Sequence, residues 1–181
     1  MSLIQFPNQM SPIIVITRPF PDCTRTAHQV EEKGFETFEE PLGVLNNIPL
    51  EKPLVLEKDP ALILTSHRAV HALNEISFNT CPVFYVVGKR TAQTLRQSGF
   101  DNIAVTASNV NNLIDWITKR KDQESRSLLP EHLAPGSPVP KSLMYVRGRD
   151  ISTDLSGILE KQDFMINEHI VYAIDKVSGF S

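Results

Sequence analysis

Short apolar runs alternate with amphipathic stretches along most of this chain. Ile13-Ile14-Val15-Ile16 is an unbroken β-branched run, the pattern of a strand buried on both faces. Thr17-Arg18-Pro19 ends it. Cys23 to Lys33 predicts a helix, stopped by Gly34, and Phe35 to Phe38 alternates as a second strand does. Pro41 to Lys58 carries Pro41, Pro49 and Pro53 and no helical period. It predicts a crossing segment into a second domain, the alternative being a long surface loop.

From Ala61 the alternation is regular. Strands are predicted at Ala61 to Leu64, Val83 to Val87, Ile103 to Val105, Leu143 to Val146 and Ile166 to Ile174. Helices are predicted between them, at Arg68 to Ile76, Thr91 to Gln97, Val110 to Arg120 and Thr153 to Lys161. In the third of these, Leu113, Trp116 and Ile117 recur at three- and four-residue steps and form its core face. Lys121 to Ser142 is polar and then proline-rich, with Pro130, Pro135, Pro138 and Pro140, and reads as a loop. Strands alternating with helices predict an α/β fold, a parallel sheet covered on both faces.

Composition narrows the class. Hydrophobic residues make up 41% and charged residues 22%, so a packed core is expected rather than disorder. The formal net charge of −3 offers no broad basic face, which excludes an extended nucleic-acid footprint. No apolar run reaches the length of a membrane helix, and Met1 to Met10 shows no signal-peptide pattern. Cys23 and Cys81 are far apart and in no CxxC spacing. One disulfide is formally open, but two reduced thiols in a soluble cytoplasmic protein are the expectation.

Two segments repeat each other. Leu62-Ile63-Leu64-Thr65-Ser66-His67-Arg68-Ala69-Val70 aligns with Tyr85-Val86-Val87-Gly88-Lys89-Arg90-Thr91-Ala92 when one turn residue is skipped. Tyr145-Val146-Arg147-Gly148-Arg149 and Ile16-Thr17-Arg18 are looser copies. Each is a strand leaving the sheet at its carboxyl edge, where open parallel sheets bind ligands. Helix amino termini there expose backbone N–H groups that suit carboxylates or phosphates. Arg18, Arg68, Arg90, Arg147 and Arg149 can add charge-assisted hydrogen bonds, or can be solvated loop residues.

The chain lacks GxGxxG, GxxxxGK[ST] and GxSxG, so dinucleotide, P-loop and serine-hydrolase chemistry are without their motifs. His67 and His71, four apart on an expected helix, have metal-ligand spacing but no evident third ligand. Glu31-Glu32 and Glu39-Glu40 read as solvated faces. Residues and spacing alone reach an α/β protein with an anion-receptive sheet edge and name no reaction.

In order and spacing these segments resemble the uroporphyrinogen-III synthase family. The likeness begins at Ile14-Val15-Ile16-Thr17-Arg18-Pro19 and passes through Gly34-Phe35-Glu36 and Pro41-Leu42. It is strongest at Ala61 to Val70 and at Val86 to Ala92. It returns at Tyr145 to Asp150, Asp154-Leu155 and Val171-Tyr172. The resemblance implies a two-lobed fold of small parallel sheets flanked by helices. Residues 12–40 would start lobe one, 45–170 would form lobe two, and 171–181 would be the returning crossover, with lobe one incomplete. It implies a hydro-lyase of haem biosynthesis, acting on a linear tetrapyrrole polycarboxylate without metal or other cofactor. The family is monomeric; an incomplete lobe invites a swapped or associated second chain.

The resemblance makes Tyr172 the expected proton donor, with a hinge tyrosine as the bland alternative. Arg18, Thr65, Ser66, Arg68, Gly88, Thr91, Arg147 and Gly148 are the expected substrate-binding residues. Ser66 and Thr91 are equally suited to be helix caps. A binding-only or inactive fragment is the alternative to an enzyme. A flavodoxin-like or response-regulator-like domain ranks last, because Thr17-Arg18-Pro19 supplies neither a phosphate loop nor an acidic cluster.

Overall fold

The computed structural model describes residues 12–56, 58, 60–121 and 139–177. The leader, His132 and most of the proline-rich stretch lie outside the described residues. The chain divides into two compact units, Met1–Asn46 with Ile174–Ser181, and Asn47–Ala173.

In the first unit, β1 (Ile13–Ile16) pairs in parallel with β2 (Glu36–Glu39), and α1 (Asp22–Glu31) connects them. Ile16, Cys23 and Ala27 are buried together, with Ile14 and Val30 packed against them. Successive strand side chains point to opposite faces. The face holding Ile14 and Ile16 is therefore covered, while Ile13 and Val15 on the other are 57% and 55% exposed. The expectation that β1 is buried on both faces is corrected, because one helix covers only one face of a strand. Both cysteines are free thiols, Cys23 buried and Cys81 exposed.

Two strands carry the chain between the units, β3 (Gly43–Asn47) outward and the long final strand β10 (Met165–Lys176) back. A short strand, β4 (Leu54–Leu56), follows β3. The core strands of the second unit are β5 (Ala61–Leu64), β7 (Val83–Val87), β8 (Ile103–Ala107) and β9 (Ser142–Gly148). A further short strand, β6 (Ile76–Phe78), pairs in parallel with β4. This pair was not expected. Leu54, Leu56, Ile76 and Phe78 alternate correctly, but over three residues each, which is too short a signal between prolines and a helix end. The described helices are a 3₁₀ helix η1 (His67–Glu75), α2 (Lys89–Gln97), α3 (Val110–Thr118) and α4 (Leu155–Glu160).

The main sheet has the order β3-β10-β9-β5-β7-β8, and β10, β9, β5, β7 and β8 run parallel. From β5 the chain steps outward to β7 and β8. It then returns past β5 to β9 and steps outward again to β10. Crossovers are right-handed, so reversing the direction of travel moves the helices to the opposite face. The core shows this. Leu62, Leu64, Phe84 and Val86 pack with Val70 and Leu73 of η1 and Leu95 of α2. Ile63, Tyr85 and Tyr145 pack with Leu113 and Ile117 of α3 and Leu155 and Leu159 of α4. Each fully buried Leu, Ile or Phe stabilises the unit by roughly 1.5–3 kcal/mol.

Candidate functional site

The reversal of winding falls between β5 and β9. Adjacent strands there send their following helices to opposite faces, the arrangement beside whose carboxyl ends open α/β sheets usually bind ligands. Leu64 stands opposite both Val86 and Val146. The next residues, Thr65, Val87 and Arg147, therefore lie along one rim.

Thr65 and Tyr145 share a hydrogen bond of 3.0 Å between their hydroxyls. Burial pushes the Tyr145 phenol above its ordinary pKa, partly offset by that bond and by the Arg147 charge. Ser66 is extended, and its Oγ accepts the Arg68 N–H at 3.3 Å, capping η1. Arg68 is half-buried in the first turn. Gly88 precedes α2 with φ +86°, a conformation that favours glycine. Thr91 is buried in the first turn of α2, and a β-carbon on residue 88 would lie 3.9 Å from its hydroxyl. The Thr91 hydroxyl is therefore turned back over the start of its own helix.

Arg147 is the most constrained of these groups. Its Nη2 donates to Glu168 Oε2 at 2.6 Å, and its Nη1 donates to the carbonyls of Gly148 at 2.9 Å and Arg149 at 3.1 Å. Only 11% of its side chain is exposed. The guanidinium thus clamps the turn after β9 to β10. The Ser156 hydroxyl of α4 donates to the other Glu168 oxygen.

Glu168 feels burial first, which raises its pKa. The hydrogen bonds from Arg147 and Ser156 and the Arg147 charge together outweigh burial and hold it below its ordinary value. A carboxylate lowered in the folded state contributes stability above its ordinary pKa and loses it as pH falls through the lowered value. Urea unfolding of the wild type and Glu168→Gln checks this. The variant should be less stable at pH 7, with the gap closing at pH 3.

Tyr172 lies on β10 opposite Gly148, reached through a register shift. Ile170 pairs with Arg147 and Tyr172 with Gly148, leaving Val171 as the extra residue of a bulge. The Arg149 N–H donates to the Tyr172 carbonyl at 2.8 Å.

Thr65, Ser66, Arg68, Gly88, Thr91, Arg147, Gly148 and Tyr172 all belong to the second unit, on or beside the carboxyl ends of β5, β7 and β9, with Tyr172 inside β10 opposite Gly148. Arg18 belongs to the first unit, where its Nη1 donates to Thr26 Oγ1 at 3.2 Å. Glu168, Ser156 and Tyr145 were missed from the sequence. The signal for Glu168 was a lone carboxylate between Ile166 and Ile170 on one strand face. His67 and His71 do not share a face as α-helical spacing would have them. A 3₁₀ helix turns about 120° per residue, so a step of four rotates the side chain to another face. Among the described residues no group of three or more His, Cys, Asp or Glu could hold a metal ion, and no helix is long and apolar enough to cross a membrane.

A cavity of about 860 Å³ adjoins the rim, lined by Leu50, Lys52, Pro53, Arg149, His169 and Ile170 among others. Glu51 and Glu168 also line it, so its cations are interspersed with carboxylates.

The second unit is thus a doubly wound α/β domain with a polar, hydroxyl-rich rim at its switch point. The solved uroporphyrinogen-III synthetase of Helicobacter pylori is similar to this chain, with TM-score 0.50 and 19% identity, covering 94% of this chain and 64% of that one. A mutant uroporphyrinogen III synthase of Thermus thermophilus matches with TM-score 0.52 and 11% identity, over 91% of this chain and 63% of that one. At these identities the likeness shows the fold, and this chain spans less than two thirds of either protein's length. A search of curated proteins found no match. The family described as uroporphyrinogen-III synthase HemD matches residues 24–179, and the chain belongs to it.

Proposed function

We propose that this protein binds hydroxymethylbilane, a linear tetrapyrrole with eight carboxylates, and closes it to uroporphyrinogen III with loss of water and inversion of the last ring. The observation that carries the reading is the common rim of the β5, β7 and β9 turns, with helix starts at Ser66, whose hydroxyl caps η1, and at Gly88, where no side chain caps α2. Backbone N–H groups at such starts suit carboxylates, and their fixed spacing suits a flexible chain that must be folded before it closes.

The electron-rich pyrroles expel the hydroxyl readily, so the protein's task is mostly orientation. The Tyr172 phenol protonates the departing hydroxyl, which leaves as water, and the phenolate regains a proton when the pyrrole carbon that closes the ring gives up its hydrogen. Ser66, Arg68, Gly88 and Thr91 hold carboxylates through main-chain N–H, hydroxyl and guanidinium donors, while Thr65 bonds Tyr145 within the rim. Arg147 acts by shaping the Gly148–Arg149 turn. The reaction takes place in the cytoplasm and uses no metal or other cofactor.

The test is to incubate purified protein with fresh hydroxymethylbilane and resolve the isomers. Type III product above the spontaneous background supports the reading. Type I alone, with substrate still bound, would make the protein a binding module.

A further inference from the structure

Gly148 has an ordinary negative φ, so its backbone conformation does not demand glycine. The space does. A β-carbon on residue 148 would lie 2.5 Å from Cζ, 2.7 Å from Cε2 and 2.8 Å from the hydroxyl oxygen of Tyr172. The phenol end of Tyr172 therefore lies directly across the Gly148 backbone. The bulge at Val171 brings it there. In a regular strand, neighbours point to opposite faces, but Val171 and Tyr172 both pack against the cluster formed with η1 and α2. Bulges re-aim side chains in this way, often beside active sites.

We propose that Gly148 is a positioning residue: its missing side chain and the Val171 bulge together form a seat that fixes the Tyr172 hydroxyl at the rim. The seat is braced from behind. Arg147 binds the Gly148 and Arg149 carbonyls and Glu168, and the Arg149 N–H holds the Tyr172 carbonyl. The turn and the tyrosine are thus tied to each other by main-chain and side-chain bonds independent of any ligand. The role in ring closure rests on Tyr172 as proton donor; the seat itself does not.

Gly148→Ala tests both. The conflicting atoms are the far end of one side chain, so the phenol should swing aside without loss of the fold. The protein has three tyrosines, Tyr85, Tyr145 and Tyr172. In protein labelled with 3-fluorotyrosine, the fluorine resonance of Tyr172 should move most and that of Tyr85 should stay. A Tyr172 resonance that stays put in folded Gly148→Ala overturns the seat. Type III formation should fall about 10²-fold, mostly in kcat, because misplacing a reacting group by about 1 Å costs that much.

Adding Gly148→Ala to Tyr172→Phe should then cost far less in type III rate than the same change costs the wild type, since the displaced hydroxyl is already gone. Losses that multiply instead would make Gly148 a general structural residue and sink the proposal. If Tyr172→Phe is fully active, the proton-donor reading fails, and the fluorine shift still decides the seat. Should Gly148→Ala unfold, Gly148→Ala/Tyr172→Ala is expected to fold again, and failure to do so contradicts a conflict with the ring.

Discussion

Tyr172→Phe is expected to slow type III formation by about 10²-fold while leaving substrate affinity nearly unchanged. The phenylalanine ring keeps the packing of Tyr172 on its neighbours, and the main-chain bond from Arg149 is untouched. What goes is a single O–H beside the switch point. A positioned proton donor acts in the transition state, so its loss appears in kcat rather than KM. Spontaneous closure does not depend on the protein, so type I product should make up a larger share of what forms. Steady-state rates with isomer separation check this. An unchanged type III rate would remove Tyr172 from the chemistry and leave the rim as a binding surface.

Phe84→Ala should carry the largest stability cost of any single replacement in the sheet, about 3–5 kcal/mol. Phe84 is fully buried in β7, and its ring meets Phe100 edge-on at 5.3 Å. Truncation opens a cavity and removes that aromatic contact. Domains are stable by only about 5–15 kcal/mol, so the variant should lose much of its margin. Urea titration followed by circular dichroism measures it. A loss below about 1 kcal/mol would mean that β7 is not the buried interior strand that its neighbours β5 and β8 make it, since cavities in well-packed cores cost more.

The central sheet was legible because its strands are apolar runs bounded by small and polar residues. Ala61-Leu62-Ile63-Leu64 and Val83 to Val87 have no competing period, and each became a buried strand at its expected position. The parallel arrangement followed from the intervening helices. β1 misled because a β-branched run looks the same whether one face or both are covered; coverage depends on neighbours the local pattern does not encode. η1 was expected as an ordinary helix, since 3₁₀ and α periods differ little over nine residues.

At the candidate site the Ser66 cap was legible from turn chemistry, but Thr91, the other expected cap, lies inside the first turn of α2, whose cap position is held by Gly88. The Arg147–Glu168–Ser156 cluster was not legible. Its members come from β9, β10 and α4, and only the register of β10 on β9 brings them together. The bulge at Val171 was hidden for a related reason: Ile170-Val171-Tyr172-Ala173-Ile174 is apolar throughout, so no break in alternation marks the extra residue.

The most direct test is amide chemical-shift mapping of ¹⁵N-labelled protein titrated with uroporphyrin III, a stable octacarboxylate with the product's skeleton. Shifts should concentrate at residues 65–69, 88–91 and 148–149, along the carboxyl rim of β5, β7 and β9. Shifts gathered instead at Ala61, Val83 and Ser142, the opposite ends of the same strands, would contradict a switch-point site.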